Sequence, residues 1–504
     1  FSCVSTMWQR VCILIALFSF VYGQLEDGTL CTPCLEYSTP FFDTFENSTD
    51  IIVIKAFIET VCHLLPEKWE RNFCVSLGDD ILDRLEDDAD NFFDHFTPYT
   101  WCTIVSLCPC PCCVTNNPEQ VHVAVTGSPS EMSITWIQSS NVSNPIVKYH
   151  QVNSSVEYVW EDVIVSTYWQ GGWVGYIYQA VLTGLQPGTN YNYTVGSNSG
   201  TLSPGYIFST PKETSISSDT TFAVYGDMGD SPSAEQVMFV LREAIQYYSI
   251  DIILHAGDIA YTNGYQGVWD DWMRKMTPIF SSIPYMAVEG NHEAKHFFEP
   301  YKHRFRMPYE ESDSRNPKYF SFDYGNVHFI AFTFEDLLDL DNNPAFGIQY
   351  AWIQQDLQKV NRQLTPWVVA YAHRPLYCSD DDSNRCIEEA ARYRHQLEDL
   401  FNEYNVDMVI SGHNHNFERT YPVYKEQPTS FNYTNPQAPV YSVIGSAGRG
   451  LHYGWEEPAP SWSVASSRIS DWGFAVISTT GNTQFEFKWI EAYSSKVMDT
   501  FTIT

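Results

Sequence analysis

The chain has 504 residues, too many for a single hydrophobic core, so we expect about three domains. A hydrophobic content of 44% and an aromatic content of 15% are typical of folded globular proteins and exclude a largely disordered chain. The formal net charge of -33 repels phosphate backbones and therefore argues against nucleic acid as the main partner.

An apolar run near the start predicts a signal peptide over residues 1–23. Arg10 supplies a charged flank, residues 11–22 form the apolar run, and the small residue Gly23 follows. The run is shorter than the roughly 20 apolar residues that cross a membrane. We therefore expect a protein that is secreted or resides in the lysosomal or endosomal lumen. In that compartment five Asn-x-Ser/Thr sequons become candidate glycosylation sites: Asn47, Asn141, Asn153, Asn192 and Asn432.

Residues 29–113 combine many cysteines with helical periodicity. Apolar residues such as Ile51, Ile54 and Ile58 recur at the spacing of an amphipathic helix. In a secreted chain the cysteines favour disulfides over zinc. Their order and spacing resemble saposin B-type domains, which implies a helical domain and peripheral contact with membrane lipid. The resemblance implies three disulfides and leaves the partners of Cys110, Cys112 and Cys113 open; the implied pairs are Cys31–Cys108, Cys34–Cys102 and Cys62–Cys74.

The segment over residues 118–213 changes to alternating strands separated by Gly and Pro turns. Residues 121–125 and 132–136 are two such strands, and a Pro-Gly turn at residues 187–188 leads into another strand. The pattern resembles a fibronectin type III-like β-sandwich, for which we expect a structural role.

From residue 220 to 504, apolar runs alternate with helical patterns, which predicts an α/β domain built from βαβ units and sandwiched sheets. Five of these runs end in polar clusters, and we expect all five clusters at the same edge of one sheet. The clusters are Gly226-Asp227-x-Gly229, Gly257-Asp258-x-x-Tyr261, Gly290-Asn291-His292-Glu293, His373 and Gly412-His413-x-His415.

Each cluster alone is a weak signal, because Gly-Asp after a strand is often a turn or a helix cap. Together they supply carboxylate, phenolate, amide and imidazole donors, which suit a pair of first-row transition metals and not a thiolate-bound structural zinc. We interpret His255 and His328, which lie inside apolar runs, as core or surface groups and not as ligands.

The five clusters resemble the metal-binding blocks of purple acid phosphatases. The resemblance extends over residues 118–504 and includes a C-terminal segment at about residues 439–504, where Asp471-Trp472-Gly473-Phe474 stands. It implies a binuclear centre of Fe(III) and a divalent ion, either Zn, Fe or Mn. The implied ligands are Asp227, Tyr261 and His415 for the ferric ion, Asn291, His373 and His413 for the divalent ion, and Asp258 as the bridge.

The same resemblance implies a secreted or lysosomal acid phosphatase that hydrolyses phosphate monoesters with a metal-bound hydroxide as the nucleophile. Two nearby cations can bind the oxygens of an anionic phosphate ester. They also lower the pKa of bound water, so that hydroxide is available at low pH. A Tyr261 phenolate would give a visible charge-transfer colour. His292, next to Asn291, is the candidate catalytic residue that stabilises the phosphoryl group or protonates the leaving oxygen.

One loop departs from the family pattern. Plant members carry a histidine pair after the equivalent of His373, whereas residues 374–382 contain no histidine. We expect Cys378 and Cys386 to close this loop with a disulfide instead.

Two other functions remain open. Acid sphingomyelinase-like phosphodiesterases also join a saposin domain to a metallophosphoesterase, but they have His in place of Gly229 and lack the ligand tyrosine. A non-enzymatic saposin-like lipid-binding protein would require a broken metal site, and the sequence retains every expected ligand.

Overall fold

The computed structural model describes residues 114–335, 344–381 and 386–504. The predicted signal peptide, the saposin-like domain with its three disulfides, and the sequon at Asn47 lie outside the described residues. Within the described part of the chain, no helix combines the length and the apolar character needed to cross a membrane.

Most of the described chain forms one compact unit, which comprises Val114–Tyr168, Gly175–Thr262 and Val268–Thr504. Two short segments, Trp169–Val174 and Asn263–Gly267, belong to a separate unit.

The first part of the large unit is a β-sandwich with two antiparallel sheets. Their strand orders are β1-β2-β6-β5 and β4-β3-β7-β8. The inward side chains include Trp136 and Tyr178, whose stacked rings have centroids 5.2 Å apart. The strands are β1 (Glu119–Ala124), β2 (Met132–Gln138), β3 (Pro145–Gln151), β4 (Tyr158–Trp160), β5 (Ile164–Ser166), β6 (Tyr176–Leu182), β7 (Asn190–Ser197) and β8 (Tyr206–Ser209).

A buried arginine fastens the sandwich to the domain that follows. The Arg304 guanidinium is fully buried and donates to Asp270 at 2.8 Å within the α/β domain. It also donates to two sandwich residues, Gln120 at 3.0 Å and Tyr168 at 2.7 Å. Because a buried charge is tolerated only when its donors are paired, this network fixes the contact between the two domains.

The α/β domain contains two six-stranded sheets that face each other. One has the order β11-β10-β9-β20-β21-β22 and the other β12-β13-β14-β15-β19-β16; β17 and β18 form a separate hairpin. The strands of the first sheet are β9 (Thr221–Tyr225), β10 (Ile252–Ala256), β11 (Tyr285–Val288), β20 (Gly473–Thr480), β21 (Gln484–Glu491) and β22 (Val497–Ile503). The others are β12 (Phe320–Tyr324), β13 (Val327–Ala331), β14 (Trp367–Tyr371), β15 (Met408–Ser411), β16 (Phe417–Arg419), β17 (Val423–Tyr424), β18 (Gln427–Pro428) and β19 (Val440–Ile444).

Aromatic side chains fill the space between the two sheets. Phe222 of β9 meets Phe329 of β13 edge to face, with ring centroids 5.1 Å apart. Along β14 the side chains alternate between two cores: Val369 belongs to the core between the sheets and Val368 to the core under the outer helices. This burial on both faces explains why the strands are continuous apolar runs.

Five helices are described in this domain: α1 (Pro232–Tyr248), α2 (Gln266–Phe280), α3 (Glu299–Arg304), α4 (Pro344–Lys359) and α5 (Cys386–Glu403). The start of α1 is set by Ser231, whose side chain accepts a hydrogen bond from the Ala234 N–H, and by Pro232 at the first position. Val237, Leu241 and Ala244 then form its buried stripe.

The predicted order of a β domain followed by an α/β metallophosphoesterase domain is confirmed. The expectation that all five polar clusters lie on one sheet is wrong. Strands β9, β10 and β11 are neighbours in one sheet, whereas β14 and β15 are neighbours in the other. The clusters therefore come from two sheets.

Candidate metal centre

Each predicted ligand lies in the loop that follows a buried parallel strand. Asp227 follows β9, Asp258 and Tyr261 follow β10, and Asn291 follows β11 in the first sheet. His373 follows β14, and His413 and His415 follow β15 in the second sheet. The carboxyl ends of parallel strands are where ligands gather in such sheets.

Three of the predicted ligands form one compact group. The Tyr261 hydroxyl lies 3.1 Å from Asp227 Oδ1 and 2.9 Å from His415 Nε2. His415 Nε2 lies 3.5 Å from Asp227 Oδ1. All three residues are buried, so a phenol, a carboxylate and an imidazole converge on one point away from bulk water.

A second group forms around His373. Its Nε2 lies 3.0 Å from Asn291 Oδ1, 3.2 Å from His413 Nδ1 and 3.2 Å from Asp258 Oδ2. One carboxylate oxygen of Asp258 and one ring nitrogen each of His373 and His413 all lie within 4.8 Å of one another, close enough to hold one metal ion.

Hydrogen bonds on the far side of each ring decide which nitrogen faces the centre. His373 Nδ1 donates to the Ala256 carbonyl at 2.9 Å, and His415 Nδ1 donates to the Gly450 carbonyl at 2.7 Å. Both rings thus turn Nε2 toward the centre, the orientation found around protein-bound metals. His413 is turned the other way, because its Nε2 faces Arg374 Nη1 at 3.2 Å.

These spacings fit a pair of metal ions. Ligand atoms at about 2.0–2.2 Å from an ion, on adjacent coordination positions, lie roughly 3 Å from one another. The donor separations of 2.9–3.5 Å in the first group and 3.0–3.2 Å in the second match this value. The mixture of phenol, carboxylate, amide and imidazole donors suits first-row transition metals.

The backbone is strained at four of these residues. Asp227, Asp258, Tyr261 and His413 have φ values of 60°, 51°, 52° and 71°. The left-handed region is unfavourable for residues with a Cβ and persists where surrounding contacts enforce it, which is common at functional sites. The strained residues therefore lie in the same loops as the candidate donor atoms.

Gly290 and Glu293 join two of the ligand loops. A Cβ atom built on Gly290 would lie 2.1 Å from Asp258 Oδ1, so only glycine fits there. The buried Glu293 carboxyl accepts hydrogen bonds from the Ile259 N–H at 3.0 Å and the Gly290 N–H at 2.9 Å. Glu293 is the last residue of the motif Gly290-Asn291-His292-Glu293, but the sequence analysis gave it no role. Its position two residues after the predicted ligand Asn291 is the sequence feature that points to it.

The charged groups of the site shift the pKa values of its histidines in opposite directions. Burial alone would lower the pKa of His373, but Asp258 and Asp227 raise it to about 10. Burial disfavours the ionised form of Asp258, yet His373 and His292 hold its pKa below the usual range of an aspartate. Burial, with Arg374 and His373 beside it, lowers the pKa of His413, which keeps this ring neutral and able to bind a cation.

The candidate catalytic residue His292 lies beside both groups. Its backbone N–H donates to Asp258 Oδ1 at 2.9 Å, and its Nε2 lies 3.8 Å from Asp258 Oδ2. Its ring packs on Tyr261 with centroids 4.3 Å apart. The structure therefore brings His292 together with the predicted ligands.

The loop after His373 supplies contacts that the sequence did not reveal. Cys378 and Cys386 are disulfide-bonded as predicted. Asp380 Oδ2 accepts hydrogen bonds from Asn414 Nδ2 at 2.8 Å, Asn416 Nδ2 at 3.0 Å and His452 Nδ1 at 2.8 Å. The closed loop is thus tied to the segment that carries His413 and His415.

Two histidines and four sequons that the sequence singles out are not members of the two donor groups. His255 and His328 are in the buried sheet interior, where His255 Nδ1 is 2.7 Å from the Tyr285 hydroxyl. Of the described sequons, Asn141, Asn153 and Asn432 are exposed and Asn192 is half-buried.

Comparison with known proteins identifies related families along the described chain. Residues 220–417 match the calcineurin-like phosphoesterase family. Residues 118–210 match the purple acid phosphatase N-terminal domain, and residues 438–500 match the iron/zinc purple acid phosphatase-like protein C family.

Individual relatives agree with these matches. The chain is 32% identical over 405 residues to acid phosphatase type 7 of Mus musculus, covering 76% of this chain and 90% of the relative. It is 31% identical to the probable purple acid phosphatase 20 of Arabidopsis thaliana, covering 74% and 84%. A purple acid phosphatase structure from yellow lupin (Lupinus luteus) superposes with a TM-score of 0.70 at 25% identity, covering 77% of this chain and 74% of that one.

The fold and the paired donor groups define a binuclear metallophosphoesterase. The chain belongs to the purple acid phosphatase family and is an acid phosphatase of that type.

Proposed function

We propose that this protein hydrolyses phosphate monoesters in an acidic compartment with a binuclear metal centre. The observation that carries the proposal is the convergence of a phenol, two carboxylates, an amide and three imidazoles, with spacings near 3 Å, after strands of two sheets. The proposed ligands fall into two sets that share Asp258: Asp227, Tyr261 and His415 for Fe(III), and Asn291, His373 and His413 for a divalent ion, either Zn, Fe or Mn.

When bound, the two ions would hold the phosphate oxygens, offset the charge that develops during hydrolysis and supply the hydroxide nucleophile. The protein contributes fixed ligands and a proton donor. His292 is held against Asp258 through its own backbone N–H and packs on Tyr261, so its ring is fixed beside the proposed substrate position. From there we assign His292 to stabilise the phosphoryl group or protonate the leaving oxygen.

The contact between Tyr261 and Asp227 favours this function over a sphingomyelinase-like phosphodiesterase. That class lacks the ligand tyrosine, whereas here the Tyr261 hydroxyl lies 3.1 Å from a carboxylate oxygen of the centre. Gly229, where that class has histidine, is also part of the same loop.

Secretion or delivery to a lysosomal or endosomal lumen is part of the proposal. The exposed sequons at Asn141, Asn153 and Asn432 support it, since glycans are attached to accessible asparagines in the secretory pathway. Lipid contact through a saposin-like domain over residues 29–113 rests on the cysteine and helix pattern alone.

The test is metal analysis of the purified protein together with a phosphate-release panel at acid pH. We expect iron and a second metal in equal amounts, and faster release from monoesters than from phosphodiesters. An active protein without iron would contradict the ferric assignment, and release from diesters alone would favour the phosphodiesterase.

A further inference from the structure

Arg449 places a positive charge over the ring of Tyr261. The Arg449 Cζ atom lies 4.3 Å from the Tyr261 ring centroid, within the distance of about 6 Å at which a cation interacts with an aromatic face. Arg449 is half-buried and lies on the segment after β19, which carries none of the proposed ligands. The contact therefore adds a charged group to the ferric side of the centre.

The backbone around Arg449 is fixed by residues of the centre. Its N–H donates to the Asp227 carbonyl at 3.2 Å, and its carbonyl accepts from Trp472 Nε1 at 2.9 Å. The next residue, Gly450, accepts the Nδ1–H of His415. The segment thus contacts two proposed ferric ligands through its main chain while its side chain covers the third.

Gly229 makes room for this contact. A Cβ atom on Gly229 would lie 3.1 Å from Arg449 Cδ and 3.3 Å from Tyr261 Cδ2, and its φ is +65°. A larger residue would push apart the arginine stem and the tyrosine ring. The glycine therefore serves the pairing of Arg449 with Tyr261 as well as the local turn.

We propose that Arg449 tunes the bond between Tyr261 and the ferric ion, a role that rests on the proposed function. A cation over a phenolate ring stabilises the filled orbitals of the ring, so that more energy is needed to promote an electron from the ring to the iron. Arg449 is thus a positioning residue for Tyr261, and its charge sets the wavelength of the visible band.

The experiment compares visible spectra and iron content of the full-length protein and three variants. Arg449→Met keeps an unbranched stem against the ring and removes the charge; its absorption maximum should move to longer wavelength at the iron content of the wild type. Arg449→Lys retains the charge and should shift the maximum less.

Arg394→Met is the matched control. The Arg394 Cζ atom lies 4.6 Å from the ring centroid of Tyr377, a similar contact that involves none of the proposed ligands. This variant should leave the maximum unchanged.

Three results would overturn the inference. The first is an unchanged maximum in Arg449→Met at full iron content. The second is loss of iron in both Arg449 variants, which would show that the side chain is only part of the scaffold. The third, a colourless and iron-free wild type, would refute the proposed ferric site itself.

Discussion

We predict that His328→Gln destabilises the protein most at acid pH. His328 lies on β13 and is only 8% exposed. Its Nδ1 is 2.6 Å from Asp323 Oδ1 on β12, and its Nε2 is 2.9 Å from Asp356 Oδ2 on α4. An imidazolium in this position donates to both carboxylates and links two strands to a helix. Glutamine keeps a polar side chain but cannot carry the charge.

The magnitude follows from the pKa of His328. Burial alone would lower this pKa, but Asp323 and Asp356 raise it from 6.5 to about 9. Since a change of one in pKa corresponds to about 1.4 kcal/mol, this rise adds about 3 kcal/mol to the free energy of unfolding. This is an upper limit, because the Asp323 side chain is 38% exposed and its charge is screened by solvent. Because folding raises the pKa of His328, protonated His328 stabilises the folded state. This stabilisation is complete below pH 6.5 and is lost as the pH rises through about 9.

The assay is the melting temperature of wild type and His328→Gln across the pH range. The difference between the two curves should be largest in acid and should shrink as the pH approaches 9. His395→Gln changes an exposed histidine of α5 and should leave the curve nearly unchanged. A difference between wild type and His328→Gln that does not vary with pH would refute the ion-pair explanation.

Three further predictions concern the centre. Asp258→Asn should abolish nearly all phosphate release and lower the bound metal, because it removes the shared carboxylate; normal metal content and rate would refute its bridging role. His292→Ala should retain metal but slow turnover by about 100-fold or more, as measured by phosphate release and metal analysis, and a normal rate would mean that another group does its work. Tyr261→Phe should lose the visible absorption band, whereas a retained band would exclude a phenolate ligand.

The sequence was sufficient to predict that the candidate ligands follow buried strands, but not how those strands are distributed between the two sheets. Asp227 and His413 each follow a short apolar run, and a polar residue after a buried parallel strand is readable from a single sequence. Which strands pair depends on crossovers that the local pattern does not encode. The result is that predicted ligands after β10 and β14 meet at one point although their strands belong to different sheets.

Supporting contacts were harder to predict because they join distant parts of the chain. Glu293 could be found through its motif, but Arg449 lies 188 residues after Tyr261, and an arginine in a glycine-rich segment has no distinctive pattern. Burial of the Tyr261 ring and the absence of a side chain at Gly229 create the place that Arg449 occupies. Neither condition can be predicted from the sequence, because both depend on how the folded loops pack together.

Residues 374–382 lack the histidine pair of the plant enzymes, but a histidine from a distant part of the chain lies beside the site. A histidine does lie beside His415, a proposed ferric ligand: the His452 ring stacks on the His415 ring with centroids 4.6 Å apart. Its Nδ1 donates to Asp380, which belongs to the loop that lacks the histidines. The disulfide between Cys378 and Cys386 closes that loop, so Asp380 is held where it can bind the His452 ring. An imidazole therefore packs against the predicted ligand His415 from the segment after β19, and the loop after β14 supplies its carboxylate partner, Asp380, in place of a histidine.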